Sequence, residues 1–180
     1  MRISIIVPLS GEKEDTGEAC RYLQYYATYQ TVKEIIFIST KDQCSKLAVL
    51  DKEPKVKTLR FAGASKAACL EAGAFEATGD ILLFLNPGTF PRPHFDQLIL
   101  ESLQNNNKAG VFAQVATDSV WNKIMAKLPL RCALCFMRVN NFFTTRHLFH
   151  LKSRQLSRHY SDTFKQVFHR YAISFKATLI

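Results

Sequence analysis

Three short, uninterrupted apolar runs, each cut off by a proline or a polar turn, set the strongest limit on how this chain can fold. Ile3-Ser4-Ile5-Ile6-Val7 stops at Pro8, Glu34-Ile35-Ile36-Phe37-Ile38 stops at Ser39-Thr40, and Ile81-Leu82-Leu83-Phe84-Leu85 stops at Asn86. None alternates with polar residues, so none suits a strand with one wet face. Such runs suit strands buried on both faces, as in a parallel sheet covered by helices.

The segments between them are long enough to be those helices. Residues 15–29 place Ala19, Tyr22, Leu23, Tyr26 and Tyr29 at helix-compatible spacing, and residues 65–77 form an alanine-rich stretch with Ser65 as its cap. Thr78-Gly79-Asp80 is a turn, residues 56–61 a short strand, and Pro91-Arg92-Pro93 opens a helix through about Leu103. After the polar Asn105-Asn106-Asn107, residues 109–115 read as another strand. Strand, helix, strand in sequence requires a crossover and predicts parallel pairing. The expected fold class is α/β: a three-layer α/β/α domain with a mostly parallel, doubly wound sheet, which binds ligands beyond the carboxyl ends of its strands.

Beyond residue 118 the alternation blurs. Residues 119–130 are helix-compatible, residues 141–145 a short strand or turn, and Leu156, Tyr160, Phe164, Val167 and Tyr171 recur at helical spacing. The expected organisation is one domain, with residues 1–118 as a ligand-binding half and 119–180 as a basic, helical segment of the same unit.

Charge divides the chain at the same place. Residues 1–118 carry 13 Lys and Arg against 14 Asp and Glu, whereas residues 119–180 carry 11 basic residues against Asp162 alone, so the net charge of +9 arises entirely from the last third. Such asymmetry points to an anionic partner: phosphate, acidic lipid or nucleic acid. With 47% hydrophobic residues, 22% charged and a mean hydropathy of −0.06, the composition excludes disordered and collagenous classes. No run approaches the roughly 18–20 apolar residues of a membrane span, and the first eight residues are too short for a signal peptide. Cys20, Cys44, Cys69, Cys132 and Cys135 are odd in number and scattered, the pattern of reduced thiols. A cytoplasmic location is the expectation.

The stretch Lys66-Ala67-Ala68-Cys69-Leu70-Glu71-Ala72-Gly73-Ala74, followed by Ala77-Thr78-Gly79-Asp80 and the run to Leu85, resembles the central part of a family 2 glycosyltransferase of GT-A fold. Ile5-Ile6-Val7-Pro8, with Glu12 nearby, is similar to that family's first strand and nucleotide-binding turn, and Glu34-Ile35-Ile36-Phe37-Ile38 to its second strand. The likeness spans residues 3–104, with a fainter echo at Phe142-Phe143-Thr144-Thr145-Arg146-His147-Leu148-Phe149. It implies a GT-A domain that binds a nucleotide sugar of UDP or GDP type and uses Mg or Mn. The acceptor would come from cell-envelope or polysaccharide synthesis. The implied nucleotide-sugar contacts are Pro8, Glu12, Ser39, Lys66, Glu71, Asn86, Gly88 and Thr89.

The acids this chemistry needs are largely replaced. Transfer from a nucleotide sugar asks for a cation at the leaving diphosphate and a carboxylate base at the acceptor hydroxyl. Where the family has its metal-binding Asp, this chain has Asn86-Pro87-Gly88-Thr89, with Asn86 the remaining candidate metal ligand. Ser39 stands where the family has an Asp facing the base, and Glu71 where it has an Asn. Lys152 and Ser153 stand where the catalytic acids belong, before Leu156-Ser157-Arg158. A general base would have to be Asp162 or one of His147, His150 and His159, for which surface or packing roles are the plain alternative. The pattern is that of a degenerate or repurposed site, a pseudoenzyme; its acceptor half is shortened, and a partner subunit or a second copy would complete it.

Other constellations carry competing readings. Cys132 and Cys135, with His147 and His150, resemble a zinc site in outline, but the histidines are three apart and the plain reading is buried thiols. Residues 152–176 combine an apolar stripe with Arg154, Arg158, Lys165 and Arg170, which suits either a helix packed on its own domain or one lying on an anionic membrane surface. No nucleic-acid motif accompanies the charge.

Overall fold

The computed structural model describes residues 1–9, 15–39, 52–61, 66–85, 90–91, 93–112 and 141–155. Their elements run in the order β1 (Ile3–Leu9), α1 (Asp15–Tyr26), β2 (Val32–Ser39), β3 (Val56–Arg60), α2 (Lys66–Glu76), β4 (Ile81–Leu85), α3 (Phe95–Gln104), β5 (Ala109–Phe112), β6 (Asn141–Thr145) and α4 (Arg146–Gln155). The six strands form one sheet in the order β3-β2-β1-β4-β6-β5. β1 pairs in parallel with β2 and β4, β2 in parallel with β3, and β6 lies antiparallel between β4 and β5. The expected mostly parallel, three-layer architecture is the one observed.

The central strands β1, β2 and β4 are almost wholly buried, as their apolar runs require. Ile3, Ile5 and Val7 face Tyr22 and Tyr26 of α1 and Phe95 of α3, while Ile6, Ile36, Ile38 and Phe84 face Cys69 and Ala74 of α2 and Phe149 of α4. β1, β2 and β4 alternate their side chains between two apolar layers, whereas the edge strand β3 exposes Lys57 and Arg60.

The α1 side is unusually aromatic. Tyr22, Tyr25, Tyr26 and Tyr29 recur at helical spacing and gather Phe37, Phe90 and Phe95 around them, with Tyr22 and Tyr26 stacked at 5.7 Å and Tyr26 edge-on to Phe95 at 5.4 Å. The Tyr26 hydroxyl is buried there with no hydrogen-bond partner among the described residues. An orphaned buried hydroxyl costs free energy that its ring does not need. Tyr26→Phe is therefore expected to raise stability by about 1 kcal/mol, read as a higher midpoint in urea at unchanged slope.

Three lysines at or beside the strands hold the chain ends of neighbouring helices. Lys55 Nζ donates to the carbonyls of Ala27 and Tyr29 just beyond α1, Lys57 Nζ to that of Glu76 at the end of α2, and Lys33 Nζ to that of Thr78. Cations there satisfy carbonyls that a helix end leaves open and oppose the negative end of its dipole.

Local boundaries depart from expectation where special backbone intervenes. The helix read from Pro91 begins instead at Phe95, because His94 takes a left-handed conformation (φ 64°) that helical residues do not share. It ends at the asparagine run: Asn105 and Asn106 donate to the carbonyls of Glu101 and Leu103, and Asn106 adopts φ 63°. Residues 141–145 are a true strand, and α4 follows at once, started by Thr145 Oγ1 accepting from the Leu148 N–H at 3.4 Å. Residues 119–130 and the stripe beyond Leu156 lie outside the described residues. No helix among the described residues is long and apolar enough to cross a membrane.

Candidate functional site

The strand order places a crevice. From β1 the chain moves outward to β2 and β3, then returns to the other side of β1 as β4, so the direction of winding reverses between β1 and β4. The helices that follow β1 and β4, α1 and α3, pack on one face, while α2, the crossover from β3 to β4, packs on the other; the carboxyl ends of β1 and β4 are the switch point at which such a sheet opens a crevice. Five stretches whose sequence could contact a ligand, residues 10–14, 40–51, 62–65, 86–89 and 113–140, all follow strand ends on this edge. β6 runs toward the amino edge, antiparallel to β4 and β5, and α4 turns back from it and leads residue 155 toward the carboxyl edge.

The predicted contacts divide into three groups. Pro8 and Ser39 stand at the carboxyl ends of β1 and β2, where Pro8 pairs with Ile38 and Leu9 with Ser39. Both are buried, Ser39 to 3% exposure. Lys66 and Glu71 belong to α2, which descends from this edge. Glu12, Asn86, Gly88, Thr89 and Asp162 lie outside the described residues, as do His159, Cys132 and Cys135.

The edge also contains groups that the sequence did not single out. Arg60 is paired with Ser39 and exposed, and Phe61, 44% exposed, donates its N–H to the Ser39 carbonyl at 2.9 Å. Their signal was the strand end itself, which put a cation and an aromatic next to Ser39. On the far side Phe90 fixes the chain's return after residue 89: it stacks on Tyr22 at 4.7 Å and on Tyr26 at 6.2 Å, and Tyr25 donates its hydroxyl to the neighbouring Pro91 carbonyl at 3.0 Å. Residues 86–89 thus run between two fixed points, Leu85 in the sheet and Phe90 in the aromatic cluster.

Glu71 is the charged residue of greatest chemical interest here. It is 4% exposed, its Oε2 has no hydrogen-bond partner among the described residues, and burial pushes its carboxyl above the usual range. Its height in the fold follows from Gly73: a Cβ there would lie 2.5 Å from Ile38 Cδ1 and 2.7 Å from Ile6 Cγ2. Glu71, two residues earlier on a descending helix, stands about 3 Å nearer the carboxyl edge. That is the level of Ser39 and Pro8.

A divalent cation finds a poor donor set. Asn86-Pro87-Gly88-Thr89 offers a neutral amide and a hydroxyl but no carboxylate, whereas Mg²⁺ and Mn²⁺ favour anionic oxygen. Among the described residues no three His, Cys, Asp or Glu side chains are grouped to hold a metal. His147 is exposed, and the His150 ring packs against Phe75 at 5.3 Å and Phe149 at 6.1 Å, so packing is the role that the structure gives it.

No protein-family model and no curated protein sequence matches the chain. Solved structures do. The chain is similar to a mannosyltransferase from Pyrobaculum calidifontis in complex with GDP-Man and Mn²⁺, with a TM-score of 0.60 and 17% identity over 83% of this chain and 46% of that one. It is similar to glucosyl-3-phosphoglycerate synthase from Mycobacterium tuberculosis in complex with Mn²⁺, UDP and glucosyl-3-phosphoglycerate, with a TM-score of 0.60 and 14% identity over 96% and 67%. It is also similar to a 4-diphosphocytidyl-2C-methyl-D-erythritol synthase from Anaerococcus prevotii, with a TM-score of 0.59 and 13% identity over 99% and 86%. The fold is of the GT-A glycosyltransferase type, and the chain spans about half the length of the mannosyltransferase it matches.

Proposed function

We propose that this chain is a family 2-like glycosyltransferase domain that binds a nucleotide-sugar donor of UDP or GDP type and has lost the acids of catalysis. The observation that carries the reading is the β1/β4 crevice, in a fold similar to proteins crystallised with GDP-Man or UDP. Pro8, Ser39, Lys66 and Glu71 would line its described part, with Glu12, Asn86, Gly88 and Thr89 contributing from the adjoining segments. The acceptor would belong to cell-envelope or polysaccharide synthesis, in the cytoplasm. Residues 119–180 would serve on the acceptor side, with a partner subunit or a second copy contributing to it.

Because Asn86 and Gly88 replace carboxylate donors, binding should need no cation. Calorimetric titration with UDP, GDP and UDP-glucose is expected to give affinities that Mn²⁺ changes less than about threefold, and Gly88→Asp is expected to make Mn²⁺ strengthen binding about tenfold, or about 1.4 kcal/mol. Strong cation dependence in the unmodified protein would show instead that the site has been rebuilt with other ligands. Absence of nucleotide binding under every condition would overturn the proposal.

A second reading is favoured by the charge of residues 119–180: a non-catalytic scaffolding domain whose basic segment, including residues 152–176, holds a partner or an anionic membrane surface. Co-sedimentation with vesicles containing phosphatidylserine separates the two, since donor binding alone predicts no retention on them.

A further inference from the structure

The carboxyl end of β3 carries an exposed guanidinium that the fold does not use. Among the described residues, no hydrogen bond, ion pair or ring contact engages the Arg60 side chain. The cations before it are engaged: Lys57 meets Glu34 and the Glu76 carbonyl, and Lys55 the carbonyls of Ala27 and Tyr29.

Register fixes where Arg60 stands. It is the partner of Ser39, and the Phe61 N–H continues the ladder by donating to the Ser39 carbonyl at 2.9 Å. Side chains alternate along a strand, and Ile35, Phe37 and Val56 lie in the layer under α1, whereas Leu59 packs in the opposite layer. Ser39 and Arg60 follow the first alternation and so share one face of the carboxyl edge, on adjacent strands about 5 Å apart. β3 is two strands from β1, about 10 Å, a distance that a nucleoside covers when its phosphates sit at the β1/β4 switch point.

At this spot an acceptor is lost and a donor gained. Ser39 stands where the resembled family has an acid facing the base, and an acid accepts from the N–H groups of uracil or guanine. Arginine only donates, through a rigid planar fork. The fork matches a base edge with two adjacent acceptors, which guanine offers in O6 and N7. Adenine sets an amino donor beside its N7, and uracil offers O4 without a second acceptor next to it.

We propose that Arg60 reads the base of the bound nucleotide and selects guanine, donating two hydrogen bonds from its guanidinium to O6 and N7. This rests on the donor-binding reading above and decides the base that it left open between UDP and GDP types.

The test is calorimetry of the full chain with GDP, IDP, 7-deaza-GDP, ADP and UDP at one salt concentration, repeated on Arg60→Ala and Arg60→Lys. GDP and IDP share O6 and N7 and are expected to bind within about twofold of each other. ADP and UDP are expected to bind at least about fivefold more weakly, with 7-deaza-GDP, which lacks the N7 acceptor, in between. Arg60→Ala should bring all five within about twofold by weakening GDP and IDP while leaving UDP unchanged. Arg60→Lys, which keeps the charge but not the fork, should lose the preference as well. Should the alanine variant fail to fold, the lysine variant carries the same comparison.

Uniform weakening of all five nucleotides in Arg60→Ala would make Arg60 a phosphate contact and overturn the proposal. A preference for GDP that survives in both variants would overturn it too. Nucleotide binding without base preference in the unmodified protein would end this proposal and leave the donor-binding reading standing, whereas absence of binding by all five would remove both.

Discussion

Replacing Glu34 by alanine is expected to cost about 3 kcal/mol, lowering the melting temperature by roughly 6–12 °C for a chain of this size. Glu34 sits at the amino end of β2, and 6% of its side chain is exposed. Its Oε1 accepts from Ser4 Oγ at 2.7 Å, from the Thr78 N–H at 2.6 Å and from Thr78 Oγ1 at 2.8 Å, and its Oε2 meets Lys57 Nζ at 2.7 Å. Removing the carboxylate strands the Ser4 hydroxyl, which is fully buried, and the Thr78 N–H together. The Lys57 ammonium suffers less, since 43% of its side chain is exposed and can rehydrate, so the cost falls at the lower end for a broken buried pair.

The same network fixes a pH dependence. Burial alone would raise the Glu34 carboxyl, but Lys57, the Thr78 N–H and the Ser4 and Thr78 hydroxyls outweigh it and hold the group at about 2 against a reference of 4.5. A lowered carboxylate contributes stability that is present above its unfolded value and disappears as pH falls from about 4.5 toward 2. Its size over that window is about 3 kcal/mol. Urea unfolding at pH 6 and pH 3 should show the loss in the unmodified protein and a flatter response in Glu34→Gln. Equal slopes would mean that other carboxylates dominate acid unfolding.

Glu34 also shows where sequence reading stops. Its run was legible as a buried strand, because four consecutive apolar residues leave little choice, yet its charge was invisible: nothing local says that Ser4, Lys57 and Thr78 will converge on it from 30, 23 and 44 residues away. The sheet, both layers of helices and the parallel order followed from periodicity and connectivity. α4 did not, since Arg146-His147-Leu148-Phe149-His150 carries too few helical signals and depends on packing Leu148 and Phe149 against the sheet. For the site, the edge was legible because strand ends are marked by Pro8 and Ser39. The burial of Glu71 was not, because nothing in the local sequence marks which face of α2 the fold covers.

Gly79→Ala tests which end of the sheet does the binding. A Cβ at Gly79 would fall 2.6 Å from Ser4 Oγ, 2.8 Å from the Ser4 backbone nitrogen and 2.9 Å from the Arg2 carbonyl, so the clash is largely with backbone that has nowhere to go. It would also disturb the Gly79 N–H bond to Ser4 Oγ at 2.8 Å and the adjacent clasp in which Arg2 and Asp80 exchange bonds of 2.9 and 2.8 Å. A cost of about 2–3 kcal/mol is expected. At Gly73 a Cβ would meet Ile38 Cδ1, a side-chain end that can shift, but also Ile6 Cγ2, held at the Cβ of a buried strand residue, so Gly73→Ala is expected to cost about 1–2 kcal/mol even after the helix gains about 1 kcal/mol in propensity. The residues that carry the resemblance at Ala77-Thr78-Gly79-Asp80 therefore act as a structural clasp at the amino edge, roughly 15 Å from the crevice by the rise of β4. Gly79→Ala should lower the denaturation midpoint yet leave nucleotide affinity per folded molecule unchanged, measured by calorimetry under native conditions. Lost affinity at unchanged stability would place the binding site at the amino edge and undo the assignment of the crevice.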